Sequence, residues 1–127
     1  MANQEFPQPT DGELEVLRFL WDNGPSTVKQ VHQAINTTKS VGYTTTLKVM
    51  QKMLEKGLLA RDDSKFRHVY TASLPEEKTQ KQLLANFLDK AFSGSTEKLL
   101  MQLLSTSKLS AKEKAVVKEM FNEDERK

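Results

Sequence analysis

The order of apolar and polar positions along the chain predicts three short helices, a β-hairpin and three further helices. Thr10 and Glu13 have the spacing of a capping box, and the helix that they open ends at residues 23–25, Asn-Gly-Pro. Its apolar positions at helical spacing are Leu14, Leu17, Leu20 and Trp21. Ser26 is predicted to cap a second helix, whose apolar positions are Val28, Val31 and Ile35.

A third helix is predicted from Tyr43 to Gly57, and its two sides differ sharply in character. At about 100° per residue, one side collects the apolar residues Leu47, Val49, Met50, Met53 and Leu54. The other side collects Thr44, Thr45, Lys48, Gln51, Lys52 and Glu55. A helix with an apolar back and a front of hydroxyls, an amide and two lysines suits a duplex groove, although the same pattern fits an ordinary amphipathic surface helix.

The segment after Gly57 changes from a helical period to a strand-like one. Residues 58–61 and 67–71 are predicted strands, and residues 62–65 form the turn between them. Three helices followed by a hairpin with Lys65 and Arg67 near its tip is the layout of a winged helix-turn-helix. The predicted fold class is therefore mainly α with a small β-hairpin.

Leu74-Pro75 marks a boundary, which divides the chain into a winged-helix DNA-binding domain, 1–74, and a helical dimerisation region, 75–127. The second part contains three predicted helices with wide apolar faces, and a capping box at Ser110 and Glu113 opens the last of them. About fifty residues cannot bury that much apolar surface alone, so the prediction is a homodimer. The side chains expected at its interface are Leu83, Phe87, Leu88, Phe92, Leu99, Leu100, Leu103, Leu104, Val117, Met120 and Phe121.

Charge is distributed unevenly, although the net charge of the 127 residues is only +2. Residues 1–28 carry one base and five acids, whereas residues 29–67 carry eight bases and three acids. A basic half built around one helix is typical of a protein that binds a polyanion, although a mixed solvated surface is the alternative.

Several function classes are disfavoured by composition. The chain has no cysteine, which removes disulfides, thiolate metal sites and a cysteine nucleophile. No apolar run is long enough to cross a membrane and no signal pattern is present, so a cytoplasmic location is expected. The two histidines, His32 and His68, have no partner at a catalytic or metal-binding spacing, so neither an enzyme nor a cofactor is predicted.

The chain resembles the penicillinase and methicillin-resistance repressors, the BlaI/MecI family, from about Thr10 to Phe121. The matching stretches are TDGELEVLRFLW, PSTVKQVHQAI, YTTTLKVMQKMLEKGLL and VYTA. The resemblance implies a winged helix that grips operator DNA, a helical part that dimerises, and repression by occupation of a palindromic site. It also implies base and phosphate contacts from the start and front of the third helix, which here are Thr44, Thr45 and Lys48.

Two groups of candidate contacts follow. Base edges are assigned to Thr44, Thr45, Lys48 and Gln51, and phosphates are assigned to Lys29, Lys39, Lys52, Lys65 and Arg67. Tyr43 either contacts a phosphate or covers the start of the helix. Phe19, Trp21 and Phe66 are expected to pack in the protein and not on bases. The competing interpretation is a winged-helix protein-interaction module without sequence-specific DNA binding.

The chain departs from the family in two places. Relatives that sense copper carry paired cysteines near the carboxy terminus, and this chain has none, which disfavours copper sensing. The resemblance implies a regulatory protease as a partner, acting at an Asn-Phe bond in the dimerisation region. The aligned positions here are Gln102 and Leu103, so induction by cleavage is not expected from this bond.

Overall fold

The computed structural model describes residues 8–64, 66–106 and 109–125, with the backbone alone at residues 106 and 120–125. The elements, in chain order, are α1 (Asp11–Asn23), α2 (Val28–Ile35), α3 (Tyr43–Lys56), β1 (Leu59–Asp62), β2 (Val69–Ala72), α4 (Glu76–Phe92), α5 (Thr96–Thr106) and α6 (Ala111–Glu125). They form two compact units, residues 1–81 and 82–127, so that α4 continues from the first unit into the second. None of the helices in the described ranges is both long and apolar enough to span a bilayer.

Helix α1 begins at the predicted capping box. The Thr10 hydroxyl accepts a hydrogen bond from the Glu13 amide at 3.2 Å, and the Glu13 carboxylate accepts one from the Thr10 amide at 3.0 Å. The helix ends at Gly24, whose φ of 80° explains why a glycine follows the last turn. Trp21 is half-buried, and its indole nitrogen donates to the Leu74 carbonyl at 2.9 Å, which fastens α1 to the segment that follows the hairpin.

The predicted N-cap of α2 was wrong by one residue. Thr27, not Ser26, accepts the Gln30 amide, and Gln30 completes a second capping box by accepting the Thr27 amide at 2.8 Å. Ser26 is buried and pairs with Tyr70 of β2 instead, through backbone hydrogen bonds of 3.0 and 2.8 Å. This long-range pairing extends the hairpin by one residue on the α1–α2 loop.

The hairpin is a two-stranded antiparallel sheet in which Arg61 lies opposite Tyr70. Its strands lie one to two residues beyond the predicted positions, at Leu59–Asp62 and Val69–Ala72. Leu58 does not belong to β1, because its amide donates a hydrogen bond to the Met53 carbonyl as part of the C-terminal cap of α3.

All buried apolar side chains among the described residues belong to the first unit. They come from all three of its complete helices, from the segment between α3 and β1, and from the hairpin: Val16, Leu17, Leu20, Val28, Val31, Met50, Met53, Leu58, Leu59 and Tyr70. The core of the first unit therefore supports α3 from behind.

An ion pair joins the first and third helices at the edge of this core. Lys56, the last residue of α3, lies 2.7 Å from the Glu13 carboxylate, which is almost completely buried. Burial favours the neutral acid, but hydrogen bonds from Lys56 and Thr10 outweigh it and hold the pKa of Glu13 below its ordinary value. Glu13 thus closes the start of α1 and holds the end of α3.

In the second unit, α6 begins at a capping box formed by Ser110 and Glu113, as its sequence predicted. The Phe87 and Phe92 rings contact each other edge to face, with centroids 5.8 Å apart. Seven of the predicted interface residues are only half-buried, namely Leu83, Leu88, Phe92, Leu99, Leu100, Leu103 and Val117. Phe87 and Leu104 are exposed, whereas the side chains of Met120 and Phe121 lie outside the described residues.

Candidate nucleic-acid interface

Helix α3 presents one side to the core and the other to solvent. Met50 and Met53 are fully buried, and Thr46 is 4% exposed. Gly42 caps the amino end without a side-chain bond, and Gly57 ends the helix in the left-handed region at a φ of 84°. Because three contacts one turn apart fix the back of the helix, its rotation about its own axis is determined.

The front of α3 is a continuous polar surface. Its exposed side chains are Thr44, Thr45, Lys48, Gln51, Lys52 and Glu55, the same set that the sequence placed there. Within the described part of the chain, no carboxylate forms an ion pair with Lys48 or Lys52. Two unneutralised ammonium groups with hydroxyl and amide neighbours provide the donors and acceptors that base edges and phosphates require.

The amino end of α3 is held by a group of side chains that the sequence analysis did not connect. The His32 Nδ1 and the Thr46 hydroxyl are 3.0 Å apart, within hydrogen-bonding distance, and the His32 ring meets Tyr43 edge to face at 5.6 Å. Tyr43 remains 48% exposed. The sequence feature that indicated this group was Thr46. It shares a helical face with Met50 and Met53, where a buried hydroxyl needs a polar partner.

A groove of about 490 Å³ lies between the amino ends of α2 and α3 and the hairpin. Lys29 of α2, Tyr43 of α3 and Arg67 of the hairpin all line it. Lys29 and Arg67 are exposed, and neither forms an ion pair with another described residue. Lys65, also predicted to contact phosphates, lies outside the described residues. The groove therefore places two further cations, Lys29 and Arg67, beside the polar front of α3.

Other cations of the basic half are neutralised within the protein. Lys39 lies 2.9 Å from Glu15 of α1, although half of its side chain remains accessible. Arg61 lies 2.7 Å from Asp63, and hydrogen bonds to Tyr70 and Asp63 raise the pKa of Arg61. Asp63 is also 3.7 Å from His68. Of the predicted phosphate contacts with described positions, Lys39 is thus the only one whose charge is already paired.

The expectation that Phe66 packs in the protein was wrong, because its side chain is 101% exposed at the tip of the hairpin. The residues on either side of it in the chain are polar, and the nearest core residue along the chain is Tyr70, four positions later. By contrast, Phe19 and Trp21 pack against the core as expected.

In the ranges that the structure describes, no three His, Asp or Glu side chains lie close enough together to hold a metal ion. His32 lies within hydrogen-bonding distance of a threonine hydroxyl, and His68 lies 3.7 Å from Asp63, a carboxylate that Arg61 also contacts. The exposed groups on the front of α3 and in the groove beside it include ammonium, guanidinium, hydroxyl and amide groups.

Comparison with known proteins gives consistent matches. The family model described as penicillinase repressor matches residues 9–123. The chain is 23% identical over 110 residues to the penicillinase repressor of Bacillus licheniformis, covering 87% of this chain and 86% of that one. It is 39% identical over 62 residues to the transcriptional regulator BlaI of Mycobacterium tuberculosis, covering 45% of each.

A solved structure shares the fold of the first unit. The solution structure of monomeric B. licheniformis BlaI in complex with the blaP half-operator aligns with a TM-score of 0.51 at 25% identity. The alignment covers 57% of this chain and 89% of that one. The predicted fold class, a mainly helical chain with a winged helix, is confirmed.

Proposed function

The chain belongs to the penicillinase repressor family, and on this premise we propose that it is a transcriptional repressor that binds operator DNA through its winged-helix unit. The observation that carries the proposal is the polar front of α3, which stands on a back fixed by Thr46, Met50 and Met53. A fixed helix with exposed donors can keep one register in a major groove. DNA as the target implies a cytoplasmic site of action.

Two kinds of contact divide the work. Thr44, Thr45, Lys48 and Gln51 face base edges, where each good pair discriminates by about 1–3 kcal/mol. Phosphates are met by Lys29, Lys52 and Arg67 and, on the sequence assignment alone, by Lys65. Tyr43 either contacts a phosphate or covers the start of α3. Lys39 contributes less, because Glu15 at 2.9 Å must release it first. The phosphate contacts supply affinity that is sensitive to salt and largely blind to sequence.

A homodimer is the proposed form, and an inverted repeat is its proposed target. The second unit supports this because it leaves apolar side chains exposed that a second copy would cover, among them Leu84, Phe87, Met101 and Leu104. A groove of about 460 Å³ between α5 and α6 is lined by Leu100, Met101, Leu104 and Val117 and could seat a partner helix. Residues 75–127 are thus proposed as the dimerisation region and residues 1–74 as the DNA-binding domain.

A regulatory protease is the partner that the family resemblance implies for induction. Residues 102–103 are Gln-Leu here and lie within α5. Because the Asn-Phe bond is missing at this position, the proposal includes no cleavage step.

A gel shift with promoter fragments from the neighbourhood of its own gene tests the proposed DNA binding. At physiological salt we expect one fragment to be bound at least about 1,000-fold more tightly than a random duplex of the same length, as is usual for specific regulators. Equal affinity for all duplexes would instead favour a protein-interaction module, or binding through phosphates alone.

Replacing Leu104 by aspartate tests the dimer. A buried carboxylate without a partner opposes association, so sedimentation at micromolar concentration is expected to show a monomer that binds the inverted repeat no better than one half-site. Ser105→Asp is the matched control, since it places the same charge at the adjacent, exposed position of α5. A Leu104→Asp protein that remains dimeric would contradict the assignment of this face.

A further inference from the structure

The exposed ring of Phe66 has no role in the fold of the first unit. It is 101% exposed, whereas Tyr70, in the same hairpin, is 2% exposed and belongs to the core. Burial of a phenyl ring is favourable in proportion to its apolar area, so the exposed ring offers apolar surface that a partner can cover.

The surroundings of Phe66 indicate the chemistry of that partner. The ring lines the groove of about 490 Å³ together with Lys29, Tyr43, Arg67 and His68. A single exposed aromatic ring at a groove with cationic and hydrogen-bonding groups is unlike an apolar protein interface, which usually has several apolar anchors. It matches a polyanion that also offers an apolar surface between its charges, and a DNA duplex has both phosphates and stacked bases.

Adjacency to Arg67 determines which part of the duplex the ring can reach. Consecutive Cα atoms are about 3.8 Å apart, so an Arg67 that contacts a phosphate brings Phe66 to the same stretch of backbone. When α3 occupies the major groove, the backbone at its edge also borders the neighbouring minor groove. Minor-groove proteins use this combination, a basic residue beside an apolar wedge that partly unstacks a base step.

We propose that Phe66 is a minor-groove wedge: its ring inserts into the minor groove beside α3 and partly unstacks one base step in each half-site. This inference rests on the proposed DNA binding and adds a source of specificity to it. Pyrimidine–purine steps are the easiest to unstack, so the operator is expected to favour such a step under the hairpin, at a position where no hydrogen bond is made to a base.

The test uses the full chain and an operator selected from random duplexes by the wild-type protein. The fluorescent base 2-aminopurine is placed at successive steps of the half-site flank, because its emission rises when it unstacks. Wild type is expected to raise the emission at one step, and Phe66→Ala is expected to abolish that rise and to lower operator affinity about tenfold. The salt dependence should stay unchanged, because no charge is lost.

Arg67→Ala is the matched control at the adjacent position. It removes a phosphate contact, so the slope of log K against log salt is expected to become shallower by about one per site. Since Phe66 is fully exposed, the thermal midpoint of Phe66→Ala should equal that of the wild type.

Three results would overturn the wedge while leaving the proposed function intact. One is a Phe66→Ala protein with wild-type affinity and the same fluorescence pattern. Another is a loss of affinity without any fluorescence difference, since the ring would then only rest on the backbone. The third is a change in sedimentation with DNA binding unaltered, which would assign the ring to a second protein copy. A wild-type chain that enriches no sequence would remove the proposed DNA binding itself.

Discussion

Replacing Lys48 by alanine is expected to lower affinity for the operator far more than affinity for a random duplex. Lys48 lies at the centre of the polar front of α3 and has no carboxylate partner among the described residues. A lost base contact costs about 1–3 kcal/mol per half-site, so a two-site operator should lose between about 30-fold and about 10⁴-fold in affinity. Titrations of both duplexes at one salt concentration measure the difference.

Lys52→Ala is the matched control on the same helix, because Lys52 is also exposed but is assigned to phosphates. It should weaken binding to both duplexes equally and reduce the salt dependence. If Lys48→Ala behaved in the same way, Lys48 would be a phosphate contact only. If neither substitution affected binding, the duplex would not lie on this side of α3.

Glu13→Gln is expected to lower the free energy of unfolding by about 1–2 kcal/mol at pH 7. The amide keeps the geometry of the capping box but loses the charge that Lys56 meets at 2.7 Å. Lys56 is 31% exposed and can rehydrate, which keeps the effect below that of a fully buried pair. Urea unfolding of both proteins at a series of pH values gives the difference.

The pH dependence has a definite sign. The pKa of Glu13 is lower in the folded protein than its ordinary value of 4.5, so the carboxylate stabilises the fold fully above that value. Its contribution disappears as the pH falls below 4.5 through the lowered pKa, and the two proteins should then converge. Glu15→Gln is the control: its partner Lys39 is half exposed, and such a pair contributes about 0–1 kcal/mol. A difference that persisted under acid conditions would show that the charge of Glu13 is not responsible.

Local patterns in the sequence were sufficient to predict much of this molecule. The division of α3 into two sides follows from helical periodicity, and the capping boxes at Thr10 and Ser110 follow from a spacing of three residues. Gly57 was identifiable as the end of α3 because only glycine readily adopts the left-handed conformation there. Each of these features depends on residues that are close together in the chain.

Features that depend on distant residues were not predictable in this way. Ser26 satisfied the local rule for an N-cap, but its pairing with Tyr70, forty-four positions later, left the role to Thr27. The pairs of Lys56 with Glu13 and of Lys39 with Glu15 likewise required knowing how the helices pack. Hydrophobicity alone suggested that Phe66 is buried, whereas its position in the hairpin exposes it.

The pairing of Ser26 with Tyr70 has a consequence for the thermodynamics of recognition. The hairpin is joined by two backbone hydrogen bonds to the loop that precedes α2. Its orientation relative to α3 is therefore established when the protein folds. A preorganised hairpin loses little conformational entropy when it meets a ligand. Folding has therefore already ordered the hairpin before a ligand binds, so less of the contact energy is lost to ordering and more of it appears as affinity.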